Sequence, residues 1–571
     1  MVVGVFVHTR AEAEIIRALA RGRIDMKVNE AVARTLNDLG IQTVFGLIGD
    51  ANLFVVDRYV RNGGDYVAAA NEAGAVLMAL GYASVSGKVG VATVTCGPGL
   101  TNTLTALVEG TKSRLPVVLI TGDAATEPKY YLQKVPQREL VSATGAGFEA
   151  ANSLQSVSAD LVYAFRRAVT ERRPVVFNMP PYNFQWEDVV DYQTARLAFH
   201  QRASRAEDNQ DIEDAVGLVA SVKRPIVLAG HGVVKTGARD AIARLARRID
   251  APLMTTLRAK DLYDGDPLNL GILGISSRPE AMEIVTSVCD CIIAFGASLN
   301  FITTGNGALV RGKRVIFVND DAVEIGKHLT ADVSVLGDCG SIAERMLHWL
   351  DKAEIPSSKF ATEDNVQSAI KAITRPLPQV TAQAAGNALN LHAVLEAINA
   401  MIEPERILVS AAGRHMGHSW NIFHVTEPRL FVQGHMYGAI GMALSHGIGA
   451  AKAEPGMPVV VVTGDGSFMN GDLVEFNTAA RYGLDIIVVM CNDGGYGAEH
   501  VQFVDRDMDP SLALIGWPDF APVADALGGK GLAVRQMGDL DAVHEAITKR
   551  SRKAPLLIDI KLDPDHVPRS Y

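Results

Sequence analysis

Residues 459–497 constrain the fold more than any other stretch. Residues 459–463 are an unbroken β-branched run, followed by Gly464-Asp465-Gly466-Ser467. Leu473, Phe476 and Ala480 then recur at helical spacing until Gly483, and a second apolar run, 486–490, leads to Asn492. A short apolar run ahead of a glycine turn is the signature of a buried parallel strand. Two such strands joined by one helix are parallel neighbours, because the crossover is right-handed. Asp465 and Asn492, 27 positions apart, therefore emerge at the carboxyl edge of one sheet, where open α/β sheets bind ligands.

A carboxylate and an amide oxygen converging on one point suit a hard cation such as Mg2+, which keeps a water and takes a diphosphate to fill its octahedron. The amides of Gly466 and Ser467 can meet the same phosphates. By itself Gly-Asp-Gly is an ordinary α/β turn; the distal asparagine, with a helix and a strand between, gives it specificity. The stretch resembles the fingerprint of the thiamin-diphosphate (ThDP) enzymes of the acetolactate synthase, pyruvate decarboxylase and benzaldehyde lyase superfamily. The resemblance implies that Asp465, Asn492 and the carbonyl of Gly494 bind Mg2+, and that Gly464, Gly466 and Ser467 line the diphosphate.

Strand–glycine-turn–helix units run through the rest of the chain. Its 571 residues suffice for three to four domains, and 48% hydrophobic content fills large cores. The pattern is α/β, with three doubly wound domains carrying parallel sheets. Residues 26–190 form the first, 205–350 the middle and 389–562 the third. Residues 351–388 read as a linker, 1–25 as an N-terminal extension with a short helix over 11–20, and 563–571 as a tail. A net charge of −10 argues against a nucleic-acid or anionic-membrane surface. No apolar run reaches the roughly 18 residues of a membrane helix. Five scattered cysteines (96, 289, 291, 339 and 491) suit a reducing, cytoplasmic setting.

The resemblance covers residues 26–560 and implies a ThDP pyrimidine-binding first domain, a middle domain and a diphosphate-binding third domain. Asn71-Glu72-Ala73-Gly74 falls where the family carries the glutamate that hydrogen-bonds N1′ of the aminopyrimidine. Such a carboxyl group needs a fairly dry pocket to share its proton. Ile440 matches the apolar wedge under the bent cofactor. Gly413, Arg414 and His415 fall in the turn that contacts the diphosphate. Gly97 and Asn102 belong to the loop beside the cofactor, where Cys96 reads as an inert thiol. Because the family shares each site between subunits, a homodimer or a dimer of dimers (a homotetramer) is implied.

Other positions bear on the reaction. Asp50 resembles the proton donor of the decarboxylases, but their histidine pair is absent from 124–139. Gln133 and Gln137 lie where acetolactate synthases place an active-site glutamine, and Gln137 is the candidate taken. Glu499 and His500 replace an apolar residue and a tryptophan, and either can serve as acid or base. FAD is found in the middle domain of some relatives; Ser298, where many of these carry arginine, weighs against it here. The leading expectation is an acetolactate-synthase-like 2-oxo acid decarboxylase/carboligase acting on a small carbonyl substrate. The alternatives are a lyase or hydrolase of 2-hydroxy ketones, hydroxyacyl-CoA or diketones, and a cofactor-binding regulatory subunit without catalysis.

Overall fold

The computed structural model describes residues 24–197, 207–373 and 389–567. The expected extension over 1–25, with its helix at 11–20, lies almost wholly outside them, as do parts of the connector, linker and tail. The first domain holds β1 (Ile24–Lys27), β2 (Thr43–Gly46), β3 (Asp65–Ala68), β4 (Gly90–Val94), β5 (Val117–Asp123), β6 (Gly147–Ala150), β7 (Val175–Pro181) and β8 (Asp188–Tyr192). The middle domain holds β9 (Pro225–Ala229), β10 (Leu253–Thr255), β11 (Asn269–Ile272), β12 (Cys291–Phe295), β13 (Arg314–Asn319) and β14 (Val333–Leu336). The third holds β15 (Ile407–Ser410), β16 (Phe431–Gln433), β17 (Val459–Gly464), β18 (Ile486–Asn492), β19 (Lys530–Val534) and β20 (Leu556–Lys561).

Three parallel six-stranded sheets result, and β1 and β8 form a separate antiparallel pair. The sheet orders are β3-β2-β4-β5-β7-β6, β11-β10-β9-β12-β13-β14 and β16-β15-β17-β18-β20-β19. With each domain's strands counted along the chain, both outer sheets run 2-1-3-4-6-5, whereas the middle sheet runs 3-2-1-4-5-6. The outer domains are thus two copies of one topology. In each, the order reverses beside the third strand, the kind of place where open α/β sheets bind ligands. The reversal falls between β2 and β4 in the first domain and between β15 and β17 in the third.

The outer domains also share a core. Helix α1 (Glu72–Ser86) and helix α2 (Leu104–Ser113) belong to the first domain. α1 is nearly apolar all round, and eleven of its residues are buried. It packs against α4 (Ala443–Ala453) of the third domain, and both contribute to one hydrophobic cluster. Glycines set the approach: a Cβ on Gly81 would lie 2.0 Å from the His446 carbonyl oxygen, and one on Gly449 1.8 Å from that of Met78.

Part of the expected linker is structured. Helix α3 (Asp364–Ile373) buries Val366, Ala369 and Ile370 in the middle domain's core with Phe360. Its apolar stripe has only three positions on ten residues, too few to stand out against the polar sequence around it.

Candidate active site

Asp465 follows β17 and begins the short helical turn Asp465–Ser467. The chain passes through one wide turn, Phe468–Asp472, into helix α5 (Leu473–Arg481). Asp465 is 1% exposed, and its Oδ2 has no hydrogen-bond partner among the described residues. Burial, and then the neighbouring Asp493, push its carboxyl up to about 7. A buried acid with an unspent oxygen is completed by a cation, which also removes the cost of its charge. Asn492 ends β18 beside it, and its Nδ2 donates to Asp559 Oδ1 at 2.8 Å. That bond fixes the amide orientation, so Oδ1 is the face left for a cation; it accepts the Gly494 N–H at 3.2 Å. Gly494 has φ +84°, and its carbonyl accepts the Ile515 N–H at 2.9 Å, which leaves one lone pair. One carboxylate, one amide oxygen and one backbone carbonyl are the donor set of an oxygen-liking cation that keeps water and phosphate ligands.

Around this point the loop of Ile440 is tied down. Gly441 N donates to Ser467 Oγ at 3.0 Å, and Asn470 Nδ2 donates to the Ile440 carbonyl at 3.2 Å. Ile440 is half-buried. A Cβ on Gly466 would lie 2.8 Å from the Tyr496 ring, which would have to move to admit it. Fully buried Asp472 accepts from Leu444 N at 2.9 Å and from the Thr463 hydroxyl at 3.3 Å.

Glu72 opens α1 behind the N-cap Asn71, whose side chain accepts from Ala73 N at 2.8 Å. Its Oε2 accepts from Asn102 Nδ2 at 3.0 Å, which joins two residues expected at the site. The carboxyl is half-buried within the single chain. No hydrogen bond or ion pair among the described residues joins Glu72 to Asp465, Asn492 or Gly494. Gly97 has φ +59°, and a Cβ there would meet the Gln133 carbonyl oxygen at 2.2 Å.

The remaining expected residues differ in burial and partners. Gln137 is buried and fully engaged: Oε1 accepts from Gly97 N at 2.9 Å, while Nε2 donates to Gly122 O at 3.1 Å and to Asn178 Oδ1 at 2.6 Å. It braces the Gly97 loop, with both amide N–H groups committed. Half-buried Gln133 lies at the loop's edge, where its Oε1 accepts from the Cys96 thiol at 3.3 Å. Burial pushes that thiol up, in keeping with an inert cysteine. Arg414 turns to the end of the chain, donating to the carbonyls of Pro564 and Val567 and lying 3.6 Å from Asp493. His415 is buried, and burial with the nearby His435 and His418 pushes it down to about 3. It is therefore neutral, and its Nε2 is unpartnered among the described residues. Gly413, at φ +150°, packs on the His415 ring. Asp50 is exposed. On helix α6 (Gly497–Asp505), Glu499 is exposed, whereas His500 is buried with Nε2 3.3 Å from Asp565.

Three acids that matter were not singled out from the sequence: Asp559, Glu475 and Glu109. Asp559 interrupts the apolar run 556–560, and a charge inside a buried strand is the signal that marks it. Glu475 and Glu109 lie on crossover helices as single acids, with no local pattern to set them apart.

Two α/β domains of one topology, each with polar groups beyond the carboxyl ends of its strands, are the class of fold that binds ligands at that edge. Three family models match: the N-terminal TPP-binding domain of thiamine pyrophosphate enzymes over residues 26–145, the central domain over 212–346 and the C-terminal TPP-binding domain over 411–560. The chain belongs to the thiamine pyrophosphate enzyme family and is a ThDP-dependent enzyme of the carboligase and lyase–transferase type. Similar proteins include the acetolactate synthase of Mycobacterium bovis (26% identical, covering 94% of this chain and 88% of the relative). Another is the acetolactate synthase of Arthrospira platensis (28% identical, 94% of each). A third is the probable acetolactate synthase large subunit of Methanococcus aeolicus (27% identical, 94% and 92%).

Proposed function

We propose that this protein is a Mg2+-dependent 2-oxo acid decarboxylase/carboligase of the acetolactate-synthase kind, working as a homodimer or a dimer of dimers in the cytoplasm. The observation that carries the metal is the buried, unpartnered oxygen of Asp465 beside an Asn492 locked by Asp559. Asp465, Asn492 and the Gly494 carbonyl would hold Mg2+, and Gly466 and Ser467 would face the diphosphate. Glu72, steadied by Asn102, would hold the proton shared with the aminopyrimidine, and Ile440 would keep the cofactor bent. Bound there, the cofactor supplies an electron sink for the carbon–carbon bond next to a carbonyl. The half-exposed state of Glu72 supports a site completed by a second chain. Gln133, at the free edge of the Gly97 loop, takes over from Gln137 as the candidate to meet the substrate. Asp50, also near Cys96, is a candidate proton donor, and Glu499 and His500 remain candidates at the outer end of the metal loop.

The middle-domain cleft, of about 1250 Å3, opens at the β9/β12 switch point and is lined by His231, Lys235, Arg258, Gly296 and Asn319. Burial lowers Lys235 and takes Arg258 down to about 10, and Arg258 in turn drives His231 well down. Lys235 and Arg258 would gain from an anion in the cleft, and on the strength of Ser298 we infer an adenine-nucleotide-like occupant rather than FAD. Visible absorbance of the purified protein distinguishes the two.

The central test is thermal denaturation with and without ThDP and Mg2+. Ligand at about 100 times its Kd stabilises by roughly 2.7 kcal/mol, a clear rise in Tm that Asp465→Asn should abolish. A wild-type protein that gains nothing from the pair overturns the proposal. A screen of pyruvate and other 2-oxo acids against benzoin-type ketones and diketones then decides the net reaction.

A further inference from the structure

The shared topology of the outer domains extends to a pair of buried acids. In the third domain, α5 is the crossover between the third and fourth strands, β17 and β18. It carries Glu475, 1% exposed. That carboxylate leaves its own domain's core and accepts from Ala70 N at 3.1 Å and from Asn71 N at 3.1 Å. These amides lie between β3 and α1, immediately before Glu72. Gly74, in the first turn of α1, makes the approach possible, because a Cβ there would lie 2.2 Å from Glu475 Oε1.

In the first domain, α2 is the equivalent crossover, between β4 and β5. It carries Glu109, 0% exposed. Its carboxylate accepts from Met436 N at 2.9 Å and from Tyr437 N at 2.7 Å, with the Ser113 hydroxyl at 3.0 Å. These amides lie between β16 and α4, just before Ile440. Equivalent helices thus reach across the domain boundary to equivalent loops. Bonds from backbone amides to ionised carboxylates are among the stronger protein hydrogen bonds. A buried carboxylate that lost them would be costly, so the geometry is held from both sides.

We propose that Glu475 and Glu109 are positioning residues, each fixing the loop of the opposite domain that delivers Glu72 or Ile440 to the cofactor. The proposal rests on the reading that Glu72 and Ile440 act on ThDP, but its first test does not. Glu475 belongs to the segment that begins at the metal-binding Asp465 and holds the loop of the activating acid. The two halves of the chain's cofactor machinery are joined through one side chain.

Amide hydrogen exchange on the full, cofactor-free chain reads the two loops separately. Glu475→Ala should lower protection at residues 70–71 by about tenfold or more and leave 436–437 unchanged, and Glu109→Ala should do the reverse. Glu475→Gln and Glu109→Gln, whose amide oxygen can still accept, should recover most of the protection and serve if the alanine variants fold poorly. On the ThDP- and Mg2+-loaded protein, Glu475→Ala should slow deuterium exchange at the cofactor's C2 by about tenfold or more, with Mg2+–ThDP affinity changed far less. Loss of protection in both loops together, or C2 exchange equal to wild type, overturns the proposal. If the wild-type protein shows no C2 exchange at all, the ThDP reading fails and the loop-specific protection alone decides the clamp.

Discussion

Asp472 lies seven residues beyond Asp465 in a pocket with no exposure, where burial pushes its carboxyl from 3.8 up to about 7. An acid whose folded-state pKa is raised binds its proton more tightly folded than unfolded, so its contribution to stability is lost as pH rises through that window. Asp472→Asn imitates the neutral form. Against this variant, the wild-type, metal-free protein should lose ground steadily between about pH 4 and pH 7, as measured by Tm across a pH series. At the residue scale, legibility followed locality. Asp465, Asn492 and Glu72 stand out as candidates in the sequence because each marks a boundary, first after a strand, last in one, or first in a helix. The partners of Arg414 at Pro564 and Val567 were not legible, since they arrive from the far end of the described chain. For Gln137 too the bonds to Gly97, Gly122 and Asn178 were hidden, because they come from three separate loops.

The contact between α1 and α4 fixes how the outer domains meet. Two glycines let the backbones touch, so a methyl group at Gly449 has only the Met78 main chain to displace. Gly449→Ala should destabilise the protein by about 1–3 kcal/mol, read from the denaturant midpoint at unchanged m-value. The Ala- and Gly-rich composition of α1 already spoke for close packing in the sequence, and β17 and β18 were legible as uninterrupted apolar runs. What α1 packs on was not legible, because glycine spacing shows that something approaches and not which element it is. α3 was missed for the opposite reason, as a short helix whose three buried side chains owe their meaning to the sheet beneath them.

For the whole molecule, the proposed dimer makes a quantitative demand. If Glu72 of one chain serves the metal loop of another, two inactive proteins can repair one another. Glu72→Ala and Asp465→Asn variants, unfolded together and refolded in equal amounts, should recover about a quarter of wild-type turnover, since half of the dimers are mixed and each has one intact site. Activity that stays at the level of the separate variants would place both residues in one chain's site. The three-domain plan was legible from recurring strand–turn–helix units, but the match between the outer sheets was visible only as a shared rhythm, because pairing order leaves no trace in local composition. That order bears on how the chain is made. In both outer sheets the last strand synthesised, β7 or β20, is an interior one, flanked on both sides by strands made earlier. Neither sheet can close until its final segment has been made, and the third domain's sheet waits for Leu556–Lys561. The middle domain, with cores of its own, can settle before the third is made, whereas α1 of the first must wait for α4 to cover it. The sheet edge that carries Asp465 and Asn492 is therefore completed last, and a chain cut short before β20 would leave Asn492 without Asp559, the partner that orients its amide.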